Sequence, residues 1–562
     1  MTYKHSGALE LTWTNKHLRL LAHDDSVYEW VEPSDFRVSE VRLLNTVCSV
    51  GEVQPERERA KDNLLIRGDS LHGLTSLVRL PEFAAEYKGK VKLVYIDPPF
   101  NTGQAFTHYD DGLEHSVWLT MLRDRLEQIK ALLSPDGSVW VHLDDAEQHR
   151  ARVVLDEVFG IDNFVATFIW QKVDSPNDNK VAVTADHEFI HCYAKSAQLL
   201  RLTQMSDESI LEAYGQVDAS GKRYRDRLLK KNGKNSLRSD RPTMWFPVID
   251  PDGEECWPVH DDGREARWAA GKDAVDALVA NKALVWKKRP DPKDAYAQRW
   301  VPYTREWAPD SPTRPWPTIW TDLHTSRQAK AHLRTMFPGV TPFGTPKPER
   351  LMQRIIEVAT DADDVVLDCF AGSGTTAAVA HKMGRRWVTI EWSADNIAEF
   401  ALPRLEKVVK GEDPGGVTES TGWEGGGGFR LLDVAPSVYE VSGASILLAD
   451  NVTAGALAES VAAQLGFTYE LDGAFCGRKN KMRLAVIDGV LSDDIVRLLA
   501  GALADGERVT VVATAAEAGA EDLLRSLSPG SRARKVPRDL ARLSRRRSEK
   551  VQLILDGLES QR

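Results

Sequence analysis

No stretch of this chain is apolar for the roughly 20 residues that a membrane-crossing helix needs, which excludes a spanning helix. The opening residues, MTYKHSGALELTW, hold no basic segment followed by an apolar core, so no secretory leader is expected. Cysteine is scarce. Cys48, Cys192, Cys256, Cys369 and Cys476 are odd in number, scattered and never in CxxC, which speaks against a disulfide framework and a zinc site and for a reducing cytoplasm. The histidines are assigned core or surface roles, and no metal is expected. HLDDAE, His142 to Glu147, reads as a strand-end turn followed by a helix cap, since a hard-cation site needs more converging oxygens.

Charge is not lacking, but its balance is acidic. Net charge is −11, which by itself disfavours an anionic polymer as partner. Binding depends on where basic residues lie, and three runs concentrate them: Lys230 to Arg241, Lys287 to Lys293, and Arg532 to Arg547. Each fits phosphate contact or a solvated loop equally well.

A chain of 562 residues exceeds one ordinary core. Residues 1–60 carry no clear period and read as an N-terminal extension. From Asn63, strands and helices alternate through residue 170, which predicts a doubly wound α/β sheet. The pattern fades over 171–340, a polar stretch with eight of the sixteen tryptophans, read as an inserted domain whose tryptophans form its core. Alternation resumes over 341–412; residues 413–429, glycine-rich, read as a linker, and 430–562 as a small separate α/β domain with a basic tail.

Two stretches carry chemistry. In VKLVYIDPPFNTG an apolar run, Val91 to Ile96, meets Asp97, Pro98, Pro99 and Phe100. Two prolines forbid any continuation of the ladder, so the four residues sit at a strand's carboxyl edge, where open α/β sheets bind ligands. A conjugated exocyclic amine is a poor nucleophile. The Asp97 carboxylate and Pro98 carbonyl could accept its N–H bonds and draw it pyramidal, with Phe100 stacked on a base taken out of the duplex. A plain strand-ending turn is the alternative.

In DVVLDCFAGSGTTAAVAHKMGRRWVTIEWS, Gly372 and Gly374 lie between a buried strand and a helix, where a ligand can approach the backbone. Asp368 ends that strand, and Glu391 ends the next, placed to accept ribose hydroxyls. A dinucleotide fingerprint would have a third glycine where Ala377 stands, and Asp368 would repel a pyrophosphate. A nicotinamide oxidoreductase is therefore the weaker reading; a ribose-bearing cofactor with a cationic end, such as S-adenosyl-L-methionine, fits better.

DPPFNTG, FAGSGTT and TPKPERLMQRII (Thr345 to Ile356) together resemble the amino-methyltransferases of DNA restriction-modification systems, particularly type III modification subunits, over roughly residues 60–410. The motif order resembles the beta arrangement. The resemblance implies a Rossmann-like methyltransferase sheet with 171–340 as target-recognition domain. It implies S-adenosyl-L-methionine held by Asp368, Phe370, Ala371, Gly372, Ser373, Gly374, Thr375 and Glu391, with Lys347 over its methionine part and Asp69 near its side of the pocket. Asp97, Pro98, Pro99 and Phe100 would be catalytic, with Phe100 where many relatives have Tyr. Adenine N6 in a specific double-stranded DNA sequence is the implied target; cytosine N4, or a catalytically inactive recognition subunit, are the alternatives. A homodimer and a restriction helicase-nuclease or other defence subunit are the implied partners, in a bacterial cytoplasm, associated with the nucleoid through DNA.

Overall fold

The computed structural model describes residues 10–22, 28–33, 35–101, 114–174, 182–281, 283–291, 294–442, 445–449 and 452–536. Ten strands make one sheet: β1 (Leu44–Gly51), β2 (Asn63–Arg67), β3 (Val91–Ile96), β4 (Leu133–Leu143), β5 (Phe164–Gln171), β6 (His187–Ala194), β7 (Ile319–Trp320), β8 (Val365–Asp368), β9 (Arg386–Glu391) and β10 (Gly428–Val434). Their spatial order is β7-β5-β6-β4-β3-β8-β9-β2-β10-β1. The six strands from β4 to β10 in that order run parallel, while β6 and β1 pair antiparallel with the edges of this block.

Parallel strands need both faces covered, and the side-chain period of two divides each strand between them. Leu64 and Ile66, Val94 and Ile96, Val365 and Leu367, and Val388 and Ile390 join one core. The same core takes the apolar sides of α1 (Ser70–Arg79), α2 (His115–Leu132) and α3 (Gln148–Phe159), which pack on one another in that order. Residues of the other parity, such as Leu65, Leu93 and Val366, are equally buried. A second helix group, α4 (Glu349–Ala359), α5 (Thr375–Lys382) and α6 (Leu402–Lys410), packs with α5 in the middle, and α5 lies on β8 and β9.

The domain boundaries differ from those expected. β1 and β10 pair with each other, and β10 also with β2, so part of the N-terminal extension and the start of the supposed C-terminal domain complete the central sheet. Backbone pairing, which carries no local signal of its partner, overrides the glycine-rich punctuation. The glycine stretch is not a loose linker either: Asp413 and Val417 are buried, and a Cβ on Gly416 (φ +62°) would stand 1.9 Å from the Glu349 carboxylate.

Gln204–Trp316 form a separate compact unit, shorter than the 171–340 expected because β6 and β7 belong to the main sheet. Its four-stranded sheet holds Arg223–Leu228, Leu284–Asp291 and Asp294–Trp307, with Gln216–Val217 at one edge. Trp268 is buried in its core with Phe246 and Val275, whereas Trp257 and Trp307 are exposed and Trp320 is buried in the main unit. Several expected phosphate contacts are engaged internally: Lys287 pairs with Asp226 at 2.7 Å and Arg238 with Glu265 at 2.9 Å.

Residues Thr468–Lys535 hold a five-stranded sheet whose last three strands run parallel, flanked by Asp493–Gly501 and Ala520–Leu527. Arg532–Lys535 forms its edge strand; the rest of the expected basic tail, from 537, lies outside the described residues. Among the described residues no helix is long and apolar enough to cross a membrane.

Arg430 on β10 is the ionic clasp of this arrangement. Buried, it donates to Asp62 and Glu56 at 2.6 Å each and to the Gln54 carbonyl. Arg430→Met leaves Asp62 buried without its cation, and is expected to lower unfolding free energy by about 3 kcal/mol in urea titration. A loss within about 0.5 kcal/mol would show that the clasp is dispensable.

Candidate active site

The two halves of the site come from strands that are neighbours. β3 and β8 pair in parallel with Leu93 opposite Val366 and Val94 opposite Leu367, so the turns after Ile96 and Asp368 leave the same sheet edge side by side. The helix following β3 lies with α1 and α3, and the helix following β8 lies between α4 and α6. Chains departing to opposite faces open a crevice at the carboxyl ends of the strands. Asp97 and Phe100 are half-buried there and Pro98 is buried. The Trp118 indole N–H of α2 donates to the Pro99 carbonyl at 2.7 Å, which fixes the turn. Asn101, at φ +62°, donates at 2.8 Å to the buried Glu147 carboxylate. Thr102 and Gly103 lie outside the described residues.

On the β8 side, Asp368 is buried and accepts from the Thr376 hydroxyl at 2.6 Å and the Phe370 N–H at 2.9 Å. Burial, aided by the charges of Asp97 and Glu391, outweighs these bonds and pushes its carboxyl up to about 7. Gly372 (φ +51°) and Gly374 (φ +74°) both hold left-handed backbone, and a Cβ on Gly372 would press the Phe343 ring at 3.2 Å. Ala371 is buried, with its N–H on the Ile390 carbonyl at 3.0 Å. The Glu391 carboxylate accepts from the Gly372 N–H at 2.8 Å, the Ser393 N–H at 3.0 Å and the Asn396 amide at 3.2 Å; burial raises its affinity for a proton. Beside it, Asn396 Oδ1 is buried with no hydrogen-bond donor, an acceptor that the sequence did not single out.

Ser373 and Thr375 are held from α6. Both are buried, and Arg404 of α6 donates to the Thr375 hydroxyl at 2.8 Å and to the Ser373 carbonyl at 3.3 Å. Arg404 also pairs with Glu349 at 2.8 Å, Glu349 with Lys382 at 2.8 Å, and Lys382 with Asp413 at 2.5 Å, every one of these side chains being essentially inaccessible. This chain of charges grips the glycine loop from beneath. His332, Glu349 and Asp413 converge as metal ligands would, but the Lys382 ammonium already touches both carboxylates.

Lys347, which the resemblance sets over the cofactor's methionine part, lies against the catalytic turn. Its ammonium bridges both oxygens of Asp97, at 2.9 and 2.7 Å, and stands 4.8 Å from the Phe100 ring centre. A buried glutamate, Glu188, is 3.7 Å away. Glu188 sits in His187-Glu188-Phe189-Ile190-His191, which spells the HExxH of helical zinc sites, a match the sequence reading passed over. Here it is strand β6, so the two histidines are about 13 Å apart along one face and cannot share an ion, while Glu188 points to the other face. There it meets Lys172 at 3.2 Å and His142 at 2.8 Å, and His142 in turn meets the Tyr95 hydroxyl at 2.8 Å. His142 stands at the strand end expected of it, before the turn that leads into α3, and there it links Tyr95 to Glu188. Asp69 caps α1 and pairs with Arg125 at 2.7 Å, and that guanidinium lies 5.9 Å from the Phe370 ring; Asp69 reaches the crevice through Arg125.

Residues 91–401 match the family model described as DNA methylase. The "Type III restriction-modification enzyme EcoPI Mod subunit" of Escherichia phage P1 is 31% identical over 58% of this chain and 56% of its own length. The "Probable type III restriction-modification enzyme HindVI Mod subunit" of Haemophilus influenzae is 29% identical over 69% of this chain and 56% of its own. The "Type II methyltransferase M.KpnI" of Klebsiella pneumoniae is 27% identical over 52% of this chain and 71% of its own. The chain thus spans little more than half the length of the Mod subunits it matches.

Burial of Asp368 has a consequence for stability. Its folded carboxyl titrates near 7, its unfolded one near 4, so the contribution it makes is full below about pH 4 and is lost as pH rises through 7. Asp368→Asn removes that loss. The variant is expected to gain on the wild type by up to about 4 kcal/mol between pH 4 and pH 8 in denaturant unfolding. A pH-independent difference would contradict the burial assignment.

Proposed function

The chain belongs to the DNA methylase family, and on that premise we propose that it transfers a methyl group from S-adenosyl-L-methionine to adenine N6 in a specific double-stranded DNA sequence. The observation that carries this is the pairing of β3 with β8, which sets Asp97 to Phe100 beside the Gly372 loop. The cofactor supplies an electrophilic methyl carried on a sulfonium. The residues fit it: Glu391 and the donorless Asn396 Oδ1 are acceptors for ribose hydroxyls, left-handed Gly372 admits close approach, and ionised Asp368 faces a cationic end.

Asp97 accepts an N–H of the target amine, and the Pro98 carbonyl accepts the other, so the nitrogen lone pair leaves conjugation and points at the methyl. The nitrogen would give up a proton towards Asp97 as it takes the methyl group. Phe100 stacks on the base, which must leave the duplex. Gln204–Trp316 is the target-recognition unit of this reading, contacting phosphates and base edges. The matched Mod subunits support a modification component of a restriction-modification or related phage-defence system in a bacterial cytoplasm. A helicase-nuclease subunit and a second copy of this chain are the partners it would take.

Incubation with DNA and labelled cofactor, then digestion to nucleosides and mass identification, tests the target: N6-methyladenine is expected, and N4-methylcytosine would move the enzyme to the cytosine class. Asp97→Ala is expected to reduce transfer by at least about a thousandfold with cofactor binding retained. Transfer that survives the substitution would place the catalytic centre elsewhere. Because Asp368 ionises near 7, calorimetric affinity for the cofactor is expected to tighten from pH 6 to pH 8 in the wild type and not in Asp368→Asn. Parallel pH profiles in the two proteins would remove Asp368 from cofactor recognition.

A further inference from the structure

The catalytic carboxylate is covered. Lys347 Nζ holds both oxygens of Asp97 and lies over the Phe100 ring, so a base that uses this acceptor and this ring must displace the ammonium. Lys347 is itself buried, and an ammonium moved off its carboxylate inside protein needs another anion, because an unpaired buried charge costs several kcal/mol. One stands close. Glu188 Oε2 is 3.7 Å from Nζ, already in ion-pair range and about 1 Å beyond hydrogen-bond contact, a gap a lysine side chain spans by rotation about its own bonds.

Glu188 is built as a receiver. Its side chain is 8% exposed and comes from β6, inside the sheet, so it does not move with the catalytic turn. Lys172 occupies Oε1 at 3.2 Å. Oε2 is fully buried, with His142 Nε2 2.8 Å away. Burial opposes ionisation of Glu188, but the Lys347 ammonium, the His142 contact and Lys172 outweigh it and keep the carboxylate ionised. A buried anionic oxygen thus stands beside an ammonium that must vacate its present partner.

We propose that Glu188 is a positioning residue that takes the Lys347 ammonium from Asp97 when the target amine enters, which uncovers the acceptor and the stacking ring together. The inference rests on the amine-methylation reading and deepens it: Lys347 is a gate on the catalytic turn, and Glu188 is where the gate rests when open. No bond is made or broken. The ammonium exchanges one carboxylate for another, and the amine N–H takes its place on Asp97.

Glu188→Gln keeps the shape and removes the charge that would receive Lys347. At saturating cofactor its kcat for DNA methylation is expected to fall at least about tenfold, with the Kd for S-adenosyl-L-methionine unchanged within about twofold by calorimetry. The decisive variant is Glu188→Gln with Lys347→Met, where nothing competes for Asp97: it is expected to turn over faster than Glu188→Gln alone. A double variant slower than Glu188→Gln overturns the proposal, since Lys347 would then assist transfer rather than obstruct it. If thermal melting shows that Glu188→Gln does not fold, Glu188→Asp with and without Lys347→Met makes the same comparison. A wild type that methylates no DNA defeats the functional reading instead, a result seen before any variant is made.

Discussion

The parallel pairing of β3 with β8 is the constraint on which the site depends. Asp97 and Asp368 are far apart in the chain, and no local interaction draws their turns together; backbone hydrogen bonds between two short apolar strands do so. Sheet twist and alternate helix placement then open the crevice exactly where both strands end in carboxylates. Two anions at one edge repel, and the molecule answers in two ways. Asp97 is neutralised by an ammonium, and Asp368 is buried deeply enough to hold its proton until near neutrality.

Buried charge also sets how firmly each half is held. Beneath the glycine loop, Arg404, Glu349, Lys382 and Asp413 form a closed chain of ion pairs that reaches from α6 through α4 and α5 to the strap at residues 413–417. Breaking any member leaves its neighbour charged and dry, so the cofactor side is rigid by construction. The β3 side is organised differently. Its carboxylate is half-buried, and its cation, held on Asp97 at 2.7 Å, has a second carboxylate at 3.7 Å. Rigidity under the cofactor and choice at the base pocket suit a reaction in which one substrate is a small molecule and the other must be inserted.

Much of this was legible from the residues. Apolar runs ending in Asp97 and Asp368 marked strand ends, prolines and left-handed glycines marked the turns, and the match to DNA methylases follows those motifs. What escaped has a common cause. Glu188, His142, Asn396 and Arg404 lie on strands and helices whose local pattern is ordinary, and each matters only through a partner brought from another part of the chain. HEFIH shows the converse: a spelling with a helical meaning is void on a strand, because residues four apart stand about 6 Å apart on one and about 13 Å apart on the other.

Domain limits failed for a related reason. Glycine and proline punctuation reports where the chain can turn, whereas membership of a sheet depends on which edge a strand finds, so β1 and β10 joined the catalytic sheet across the limits expected. By itself the sequence determined the chemistry available: an acceptor set between prolines, an aromatic ring, a backbone turn open to a cofactor. Only the tertiary structure decided who faces whom. It set Lys347 on Asp97 and Glu188 behind it, because ion pairs are chosen by distance in space after the core has packed, and no residue records that distance in its own neighbourhood.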